Sequence, residues 1–273
     1  MIADSLARYR APTVDASRPP FIMLKNVAKT YGARAGGSVQ AVESVSFEIG
    51  RGEFTSIVGP SGCGKTTLLK MIGGLLPVSG GTIAYHGIPS GQKRPDLGMV
   101  FQDAVLLPWR TVLQNVMLPI EVARGDRAAG EKQARALIEL VGLRGFDDKY
   151  PGELSGGMQQ RASIARALVN DPALLLMDEP FGALDALTRE RMTLELQRIW
   201  SSSRKTVLFI THSIPEAVLL SDRVIVMTTR PSRVAEIIDI DLPRPRTLQI
   251  SGDIRFIRYA AHIRELFTAT GDL

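Results

Sequence analysis

The segment EFTSIVGPSGCGKTTLLKMI, residues 53–72, decides the fold, because a glycine-containing loop joins a short apolar run to a stretch with helical spacing. Its central part GPSGCGKT, residues 59–66, fits the pattern G-x-x-x-x-G-K-S/T between a predicted strand and a predicted helix. In such a loop the glycines let backbone N–H groups turn inward around phosphate oxygens, and the helix N-terminus adds its positive dipole end. We therefore expect an α/β fold with a phosphate-binding loop at a strand end.

The residue types of this loop predict its chemistry. Lys65 is expected to reach the β- and γ-phosphates of a nucleotide, and the Thr66 hydroxyl to bind Mg²⁺. Cys63 occupies a variable position, and because no base is evident near it, we interpret it as incidental rather than nucleophilic. The expected nucleotide-binding residues of this segment are Gly59, Pro60, Ser61, Gly62, Cys63, Gly64, Lys65, Thr66 and Thr67.

The rest of the chain divides into strand and helix patterns. Buried parallel strands with crossover helices are predicted downstream, for ALLLMDEP, TVLFITHS and RVIVMTTRP. Antiparallel strands on a solvated sheet are predicted upstream, for FIMLKNVAKTY and VQAVESVSFEIG. Between the two regions, RTVLQNVMLPIEVA and GEKQARALIELVGL indicate a mostly helical insert at about residues 103–160.

Both ends of the chain are expected to lie outside the main domain, residues 21–245. Residues 1–20 are predicted to be a flexible tail, since charged residues stand where a signal peptide needs an apolar stretch. Residues 246–273 are predicted to be a C-terminal helical extension. Its apolar stripe, which we expect to pack on its own domain rather than on a partner, consists of Phe256, Ala260, Ile263 and Phe267.

Composition limits the function only loosely. The 273 residues have a formal charge of +5, which suits an acidic leaflet, nucleic acid or phosphate ligands, and equally an ordinary basic surface. The single cysteine excludes an intrachain disulfide. No apolar run approaches the roughly 20 residues needed to span a bilayer, so a membrane role requires a partner.

Polar side chains follow three of the predicted strands. Asp178 and Glu179 end a run apolar enough for a central parallel strand, at the edge where open α/β sheets bind ligands. We expect Asp178 to hold Mg²⁺, and Glu179 to orient and deprotonate a water. His212 ends the next buried strand, and Gln102 ends DLGMVFQ, where it is expected to contact Mg²⁺ or water. The alternatives are helix capping or a surface turn for the carboxylates, a structural role for His212 and an ordinary surface position for Gln102.

A second glycine-bearing loop opens a helix in LSGGMQQRASIARAL, residues 154–168. Together with the preceding motifs in this order, it resembles the ATP-binding subunit of an ABC transporter over roughly residues 21–233. The resemblance implies a P-loop NTPase fold with a RecA-like core, an antiparallel β subdomain and a helical subdomain. The matching motifs are Walker A at 59–66, the Q-loop at Gln102, the signature at 154–159, Walker B at 174–179, the D-loop at 183–185 and the switch histidine His212.

The resemblance also implies how ATP is bound. Two subunits pair head to tail as a homodimer, so that each ATP lies between the Walker motifs of one chain and the signature of the other. Ser155 and Gly157 are expected to bind the γ-phosphate across this interface, with Gly156 and Asp185 in the same nucleotide-binding set. Tyr31, in KTY, matches the aromatic residue that stacks on adenine, although an aromatic at that position is also consistent with a core role.

Four further segments resemble the importer branch that handles nitrate, sulfonates, taurine or bicarbonate: LLPWRTVLQNV, MDEPFGALDALTRE, THSIPEAV and TTRPSRV. This implies membrane permease subunits as partners, a periplasmic or extracellular solute-binding protein acting through the permease, and no nucleic acid. The chain is then a peripheral subunit at the cytoplasmic face of the inner membrane. Leu107 and Trp109 are expected to anchor a short permease helix, with insert core as the alternative for Trp109.

Two other classes of protein share some of these motifs. A soluble ABC ATPase acting on ribosomes or DNA has the same ATP residues, but usually carries tandem cassettes or a coiled-coil insert. No heptad run lies between Thr66 and Leu154. The signature loop and His212 argue against a P-loop kinase or GTPase outside the ABC family.

Overall fold

A computed structural model describes residues 20–32, 37–86, 97–182, 184–203 and 205–269. The strands in these ranges are β1 (Ile22–Gly32), β2 (Ser38–Ile49), β3 (Phe54–Val58), β4 (Gly80–Tyr85), β5 (Leu97–Val100), β6 (Leu174–Asp178), β7 (Thr206–Ile210), β8 (Arg223–Met227) and β9 (Val234–Asp239). The α-helices are α1 (Lys65–Ile72), α2 (Val112–Val122), α3 (Arg127–Leu140), α4 (Gly156–Leu168), α5 (Ala186–Ser203), α6 (Ile214–Leu220) and α7 (Ile254–Ala269).

A six-stranded sheet forms the centre of the fold, in the order β5-β6-β7-β3-β8-β9. Its first five strands are parallel, and every residue of β3, β6 and β7 is buried. Parallel strands of this kind are covered on both faces, which is why β6 and β7 are almost entirely apolar. Strand β3 buries the polar residues Thr55 and Ser56 as well. The segments that follow β3, β6 and β7 therefore emerge at one edge of the sheet. This geometry brings together residues that are far apart in the sequence.

The sixth strand, β9, is not predicted by the sequence pattern. It pairs antiparallel with β8 at the sheet edge, with Val224 opposite Ile238. Glu236 and Asp239 interrupt its apolar residues, and only Ile238 is buried. The sequence VAEIID therefore gives neither a continuous apolar run nor the clean alternation that an antiparallel strand with one solvated face usually shows.

A separate three-stranded antiparallel sheet has the order β2-β1-β4, as predicted for β1 and β2. Ile22 in the central strand lies opposite Ile49 on one side and Tyr85 on the other. Ile22 and Leu24 are buried at alternate positions of β1, and after a register shift Val27 and Lys29 continue the buried side. This sheet carries Tyr31 at the end of β1.

Helices α2, α3 and α4 pack on one another in the predicted insert. Helix α3 begins at Arg127 rather than at Gly130, because the Asp126 carboxylate accepts hydrogen bonds from the N–H groups of Ala128 and Ala129. Gly130 is needed for close packing, since a Cβ there would lie 2.5 Å from Cδ1 of Ile120 on α2.

The C-terminal helix α7 packs on its own domain, as its apolar stripe predicts. Phe256 and Ile263 are buried, and Ala260 and Phe267 are partly buried against the same core. Among the described residues, no helix combines the length and apolar character needed to cross a membrane.

The segment before α7 is held by a buried arginine. The Arg246 guanidinium donates to backbone carbonyls at the end of α6 and after β9, those of Val218, Leu219, Ser221, Ile240 and Leu242. Burial lowers the pKa of Arg246 to about 10, so the side chain stays cationic at neutral pH. Its charge meets the negative end of the α6 dipole, which helps to compensate for the desolvation.

Candidate active site

The loop after β3 has the shape that its glycines predict. Gly62 and Gly64 have φ angles of 73° and 108°, a region that side chains with a Cβ rarely adopt. A Cβ on Gly59 would lie 2.9 Å from the carbonyl oxygen of Met227 on β8. Ser61 and Gly62 are exposed, whereas Cys63 is buried. The loop therefore turns tightly against the sheet and presents its outer residues to solvent.

Lys65 lies across the inside of this loop. Its Nζ atom donates to the carbonyl oxygens of Gly59 and Pro60, both at 2.7 Å, and the side chain is buried. The ammonium group is thus fixed on the inner side of the loop that the sequence predicts to bind phosphate.

Thr66, in the first turn of α1, meets Asp178 at the carboxyl end of β6. The Thr66 hydroxyl donates to Oδ1 of Asp178 at 2.9 Å, and Asp178 is only 3% exposed. Burial raises the pKa of the Asp178 carboxyl above its ordinary value, and the hydrogen bond from Thr66 opposes that rise. A hydroxyl beside a carboxylate supplies the hard oxygen ligands that Mg²⁺ prefers, and Mg²⁺ sites often use only one or two protein groups together with substrate phosphates.

Glu179, His212 and Gln102 converge at the carboxyl ends of the parallel strands. Oε2 of Glu179 lies 3.2 Å from Nδ1 of His212 and 3.5 Å from Nε2 of Gln102. Glu179 has a φ of 45°, unusual for a residue other than glycine, and its N–H donates to the carbonyl of Ile210 at the end of β7. The left-handed turn directs the carboxylate out of β6 toward the residues that follow β5 and β7.

Tyr31 lies beside the helix that begins in the phosphate loop. Its hydroxyl is 3.3 Å from Oγ1 of Thr67, and Nζ of Lys29 is 5.3 Å from the ring centroid. The side chain is 39% exposed, so a core role for Tyr31 is wrong. An accessible aromatic face next to the phosphate loop suits a purine ring.

The second glycine loop lies elsewhere in the chain. Ser155 and Gly156 are exposed, and the Ser155 hydroxyl accepts from the N–H of Met158 at the start of α4. Helix α4 packs against β5 at the far edge of the sheet, whereas the phosphate loop follows β3. Three strand spacings, about 14 Å, separate β5 from β3. Gly157 contacts the segment before α5, since a Cβ there would lie 3.0 Å from Cδ2 of Leu184.

Asp185 caps helix α5. Its Oδ1 accepts from the N–H of Thr188 at 3.0 Å, and the Thr188 hydrogen bonds hold the pKa of the Asp185 carboxyl below its ordinary value. Ala183, in the predicted D-loop, lies outside the described residues.

Sequence reasoning missed several residues around this site. Nε of Arg230 donates to the carbonyl of Gly62 in the phosphate loop at 3.0 Å. Arg189, Thr211 and Glu216 form a polar cluster behind His212. The available signals were a threonine immediately before the histidine and a carboxylate within the otherwise apolar helix IPEAVLL.

A buried asparagine fixes the loop that displays Trp109. Asn115, fully buried, accepts from the N–H of Leu107 and donates to the carbonyls of Leu107, Arg110 and Thr111. Trp109 is 70% exposed, so its alternative role as insert core is wrong. Leu107 is half-buried.

Comparisons with known proteins agree on one family. The family model described as ABC transporter matches residues 42–182. The taurine import ATP-binding protein TauB of Rhizobium johnstonii is 47% identical over 236 residues, 86% of this chain and 89% of that protein. The bicarbonate transport ATP-binding protein CmpD of Synechocystis is 43% identical over 235 residues, 85% of this chain and 83% of that protein.

A solved structure has the same fold. The dimeric structure of MJ0796, a bacterial ABC transporter cassette, is 35% identical with a TM-score of 0.73, covering 81% of this chain and all of that one. A second dimeric structure of that cassette, in a post-hydrolysis state bound to ADP and phosphate, is equally similar in fold, with a TM-score of 0.73. The predicted P-loop ABC fold is therefore confirmed, and the chain belongs to the ABC transporter family, as one of its ATP-binding cassettes.

Proposed function

We propose that the chain binds and hydrolyses ATP in order to power an importer for a small solute. The observation that carries the proposal is the convergence of three groups at one edge of the sheet. They are the phosphate loop with Lys65, the Thr66–Asp178 pair, and Glu179 with its neighbours His212 and Gln102. This set supplies phosphate binding, cation ligands and a base.

Triphosphate binding exchanges one set of partners for another. Lys65 gives up backbone carbonyls of Gly59 and Pro60 for β- and γ-phosphate oxygens, while backbone N–H groups of the loop and the N-terminus of α1 face the anion. The two glycines with positive φ permit this inward orientation. Tyr31 stacks on the base, because its ring stands exposed beside Thr67.

Mg²⁺ is the cation expected here. Thr66 and Asp178 would hold it directly, and Gln102 directly or through water. When bound, the ion neutralises charge on the transferred phosphoryl group. Asp178 must be ionised for this role, and the cation provides the positive charge that favours ionisation of the buried carboxyl.

Glu179 is the proposed general base. Its carboxylate accepts a proton from the attacking water, and the hydrogen bonds from His212 and Gln102 hold it in one orientation. A fixed orientation matters because the base must lie within hydrogen-bond reach of the water at the moment of attack.

A homodimer explains the second glycine loop. Its helix packs on the far edge of its own sheet, away from its own phosphate loop, and it exposes Ser155 and Gly156. In a head-to-tail pair, Ser155, Gly156, Gly157 and Asp185 face the nucleotide of the partner. The dimeric arrangement of the related cassette MJ0796 supports this proposal. Hydrolysis then removes the γ-phosphate that links the two subunits. The dimer opens as a result, and this moves the attached membrane subunits.

The partners follow from the relatives. Because TauB is named for taurine import and CmpD for bicarbonate transport, we propose an importer of this branch, for a small anion or sulfonate. The chain then acts at the cytoplasmic face of the inner membrane, bound to permease subunits that receive solute from a binding protein. The exposed Trp109 beside half-buried Leu107 is the proposed permease contact.

The experiment has two stages. The purified chain should release phosphate from Mg-ATP. The variant Glu179→Gln should bind ATP but should release almost no phosphate. The chain is then reconstituted in proteoliposomes with candidate permease and binding-protein partners from the same genome. Taurine, nitrate, bicarbonate and an alkanesulfonate are offered in turn, and ATP-dependent uptake of one of them is expected. No ATP hydrolysis in either setting would overturn the ATPase proposal, and hydrolysis without stimulation by any permease would overturn the importer proposal.

A further inference from the structure

A polar cluster lies directly behind the Glu179–His212 pair, made of Arg189 on α5, Thr211 after β7 and Glu216 on α6. Thr211 is 2% exposed and Glu216 is 9% exposed. The catalytic assignment above gives none of these residues a role. The Arg189 side chain is 34% exposed, so Glu216 is the buried charged group of the cluster. A buried carboxylate needs a physical reason to be retained.

Arg189 joins two segments of the chain. Its guanidinium donates to the carbonyls of Phe181 and Leu184, at 3.3 and 3.0 Å, in the segment that follows Glu179. The same guanidinium lies 3.7 Å from Oε1 of Glu216. One rigid, planar group therefore ties the segment after β6 to the first turns of α6.

Glu216 in turn ties down both sides of His212. Its Oε2 accepts a hydrogen bond of 2.7 Å from the Thr211 hydroxyl, and Oγ1 of Thr211 accepts from the N–H of Ser213. Thr211 and Ser213 are the chain neighbours of His212. The backbone that aims the imidazole is thus attached to Arg189 through one carboxylate.

The free-energy cost of burying the Glu216 carboxylate indicates that the cluster serves to fix the backbone around it. Burial raises the pKa of the Glu216 carboxyl above its ordinary value, and the Thr211 hydrogen bond and the Arg189 charge only oppose that rise. Apolar residues of similar size often stabilise a fold as well as a buried ion pair does. What apolar residues lack is the directional set of bonds that fixes two separate backbone segments at once.

We propose that Arg189 and Glu216 are positioning residues. They form a bridge that fixes the position of His212 relative to the segment after Glu179, as hydrolysis requires. The bridge acts through Thr211 on one side and the carbonyls of Phe181 and Leu184 on the other. This inference rests on the ATPase function proposed above. It predicts a loss in turnover rather than in ATP affinity, because none of the bridge atoms belongs to the phosphate loop.

The test measures steady-state phosphate release against Mg-ATP concentration in the full chain. Glu216→Gln and Arg189→Gln should each lower kcat by about three- to thirty-fold, the size of coupling between residues in one network. KM for ATP should stay within about two-fold of the wild-type value. The double variant should be no slower than the slower single variant, because either change alone already breaks the bridge.

Thr211→Val keeps the ion pair, removes only the hydroxyl link and preserves side-chain shape, so it remains informative if Glu216→Gln fails to fold. It should also lower kcat. The matched control is another Arg–Glu pair on α5: Arg198 lies 2.5 Å from Glu195 at the surface. Arg198→Gln and Glu195→Gln should leave kcat unchanged.

Two results would overturn the inference. One is a lowered unfolding temperature with unchanged kcat in the folded bridge variants, which would mean that the pair only stabilises the fold. The other is a double variant whose losses multiply, which would mean that the two residues act independently. Wild-type hydrolysis that is abolished by Glu179→Gln would show in the same experiment that the ATPase proposal itself stands. Absence of that hydrolysis would mark a failure of the ATPase proposal instead.

Discussion

The Nδ1 atom of His212 lies 3.2 Å from Oε2 of Glu179, although 33 positions separate the two residues in the sequence. Strands β6 and β7 are neighbours in the parallel sheet, and the Glu179 N–H continues their ladder by one bond to Ile210. The contact is therefore set by strand pairing, and the positive φ of Glu179 aims its carboxylate. The first prediction concerns this carboxylate.

Glu179→Gln should lower ATP turnover by about 10²–10⁴-fold, because the amide keeps the shape of the side chain but cannot accept a proton from water. ATP binding should survive, so the variant should accumulate as an ATP-held dimer. Phosphate release and size-exclusion chromatography with Mg-ATP measure the two effects. Glu190→Gln, on the exposed side of α5, is the control and should behave as wild type. Normal turnover in Glu179→Gln would exclude the assigned role.

Mixing two inactive variants tests the shared site. Lys65→Ala and Ser155→Arg should each be inactive alone, because every composite site in either homodimer has one defective half. In a heterodimer, one site combines both defects and the other is intact. Mixing should therefore restore activity up to about half of the wild-type rate per heterodimer, less if the sites are coupled. No recovery, once cross-linking has shown that heterodimers form, would contradict a dimer with two shared sites that hydrolyse ATP independently of each other.

Asp178→Asn should make the chain more stable and less active. Burial raises the pKa of the Asp178 carboxyl, so its protonated form stabilises the fold. This contribution to the free energy of unfolding is fully present below the ordinary carboxyl pKa and is lost as pH rises through the raised pKa. At neutral pH the amide avoids this cost. The unfolding temperature should rise by about 2–4 °C for each kcal/mol gained, and the stabilisation by Mg-ATP should fall.

Differential scanning fluorimetry over a pH series checks this sign. The gain of Asp178→Asn over wild type should be larger at about pH 7.5 than at about pH 4.5. Asp185→Asn is the matched control, because hydrogen bonds from Thr188 lower the pKa of Asp185, so its contribution is present above the ordinary carboxyl pKa. That variant should not gain stability at neutral pH. A loss of stability in Asp178→Asn at neutral pH would contradict the prediction.

Trp109→Ala should uncouple transport while leaving basal ATPase activity and the unfolding temperature nearly unchanged. The indole is 70% exposed, so its removal leaves little cavity in the insert, but it removes the proposed apolar anchor for the permease helix. Solute uptake and ATP hydrolysis are measured together in proteoliposomes. Ile254→Ala removes another exposed apolar side chain, on α7, and should leave uptake intact. Unchanged uptake in Trp109→Ala would exclude this contact.

Arg246→Met should destabilise the fold by about 2–4 kcal/mol, because it leaves buried backbone carbonyls at the end of α6 and after β9 without a donor. Urea unfolding gives the change in free energy. Arg258→Met, an exposed position on α7, is the control and should change stability by less than about 0.5 kcal/mol. Equal urea midpoints for Arg246→Met and Arg258→Met would show that the carbonyls bound by Arg246 find other donors.

The sequence alone determined the parts of this protein that are encoded locally. The strand–loop–helix of residues 53–72 and the two glycines that need positive φ follow from short-range rules, because spacing and backbone freedom are properties of neighbouring residues. The buried strands β6 and β7 were equally readable as continuous apolar runs. The edge strand β9 was not, because acidic residues interrupt its apolar residues and leave no such run.

Only the tertiary structure decided which distant groups meet. Gln102 and Glu179 are 77 residues apart, and Arg230 and Gly62 are 168 apart, so no local pattern predicts either contact. The bridge from Arg189 through Glu216 to Thr211 depends on how α5 and α6 pack against each other. A parallel sheet sends its carboxyl ends to one edge, but the order of its strands is fixed by packing of the whole chain. That order determines which polar side chains become neighbours in the site.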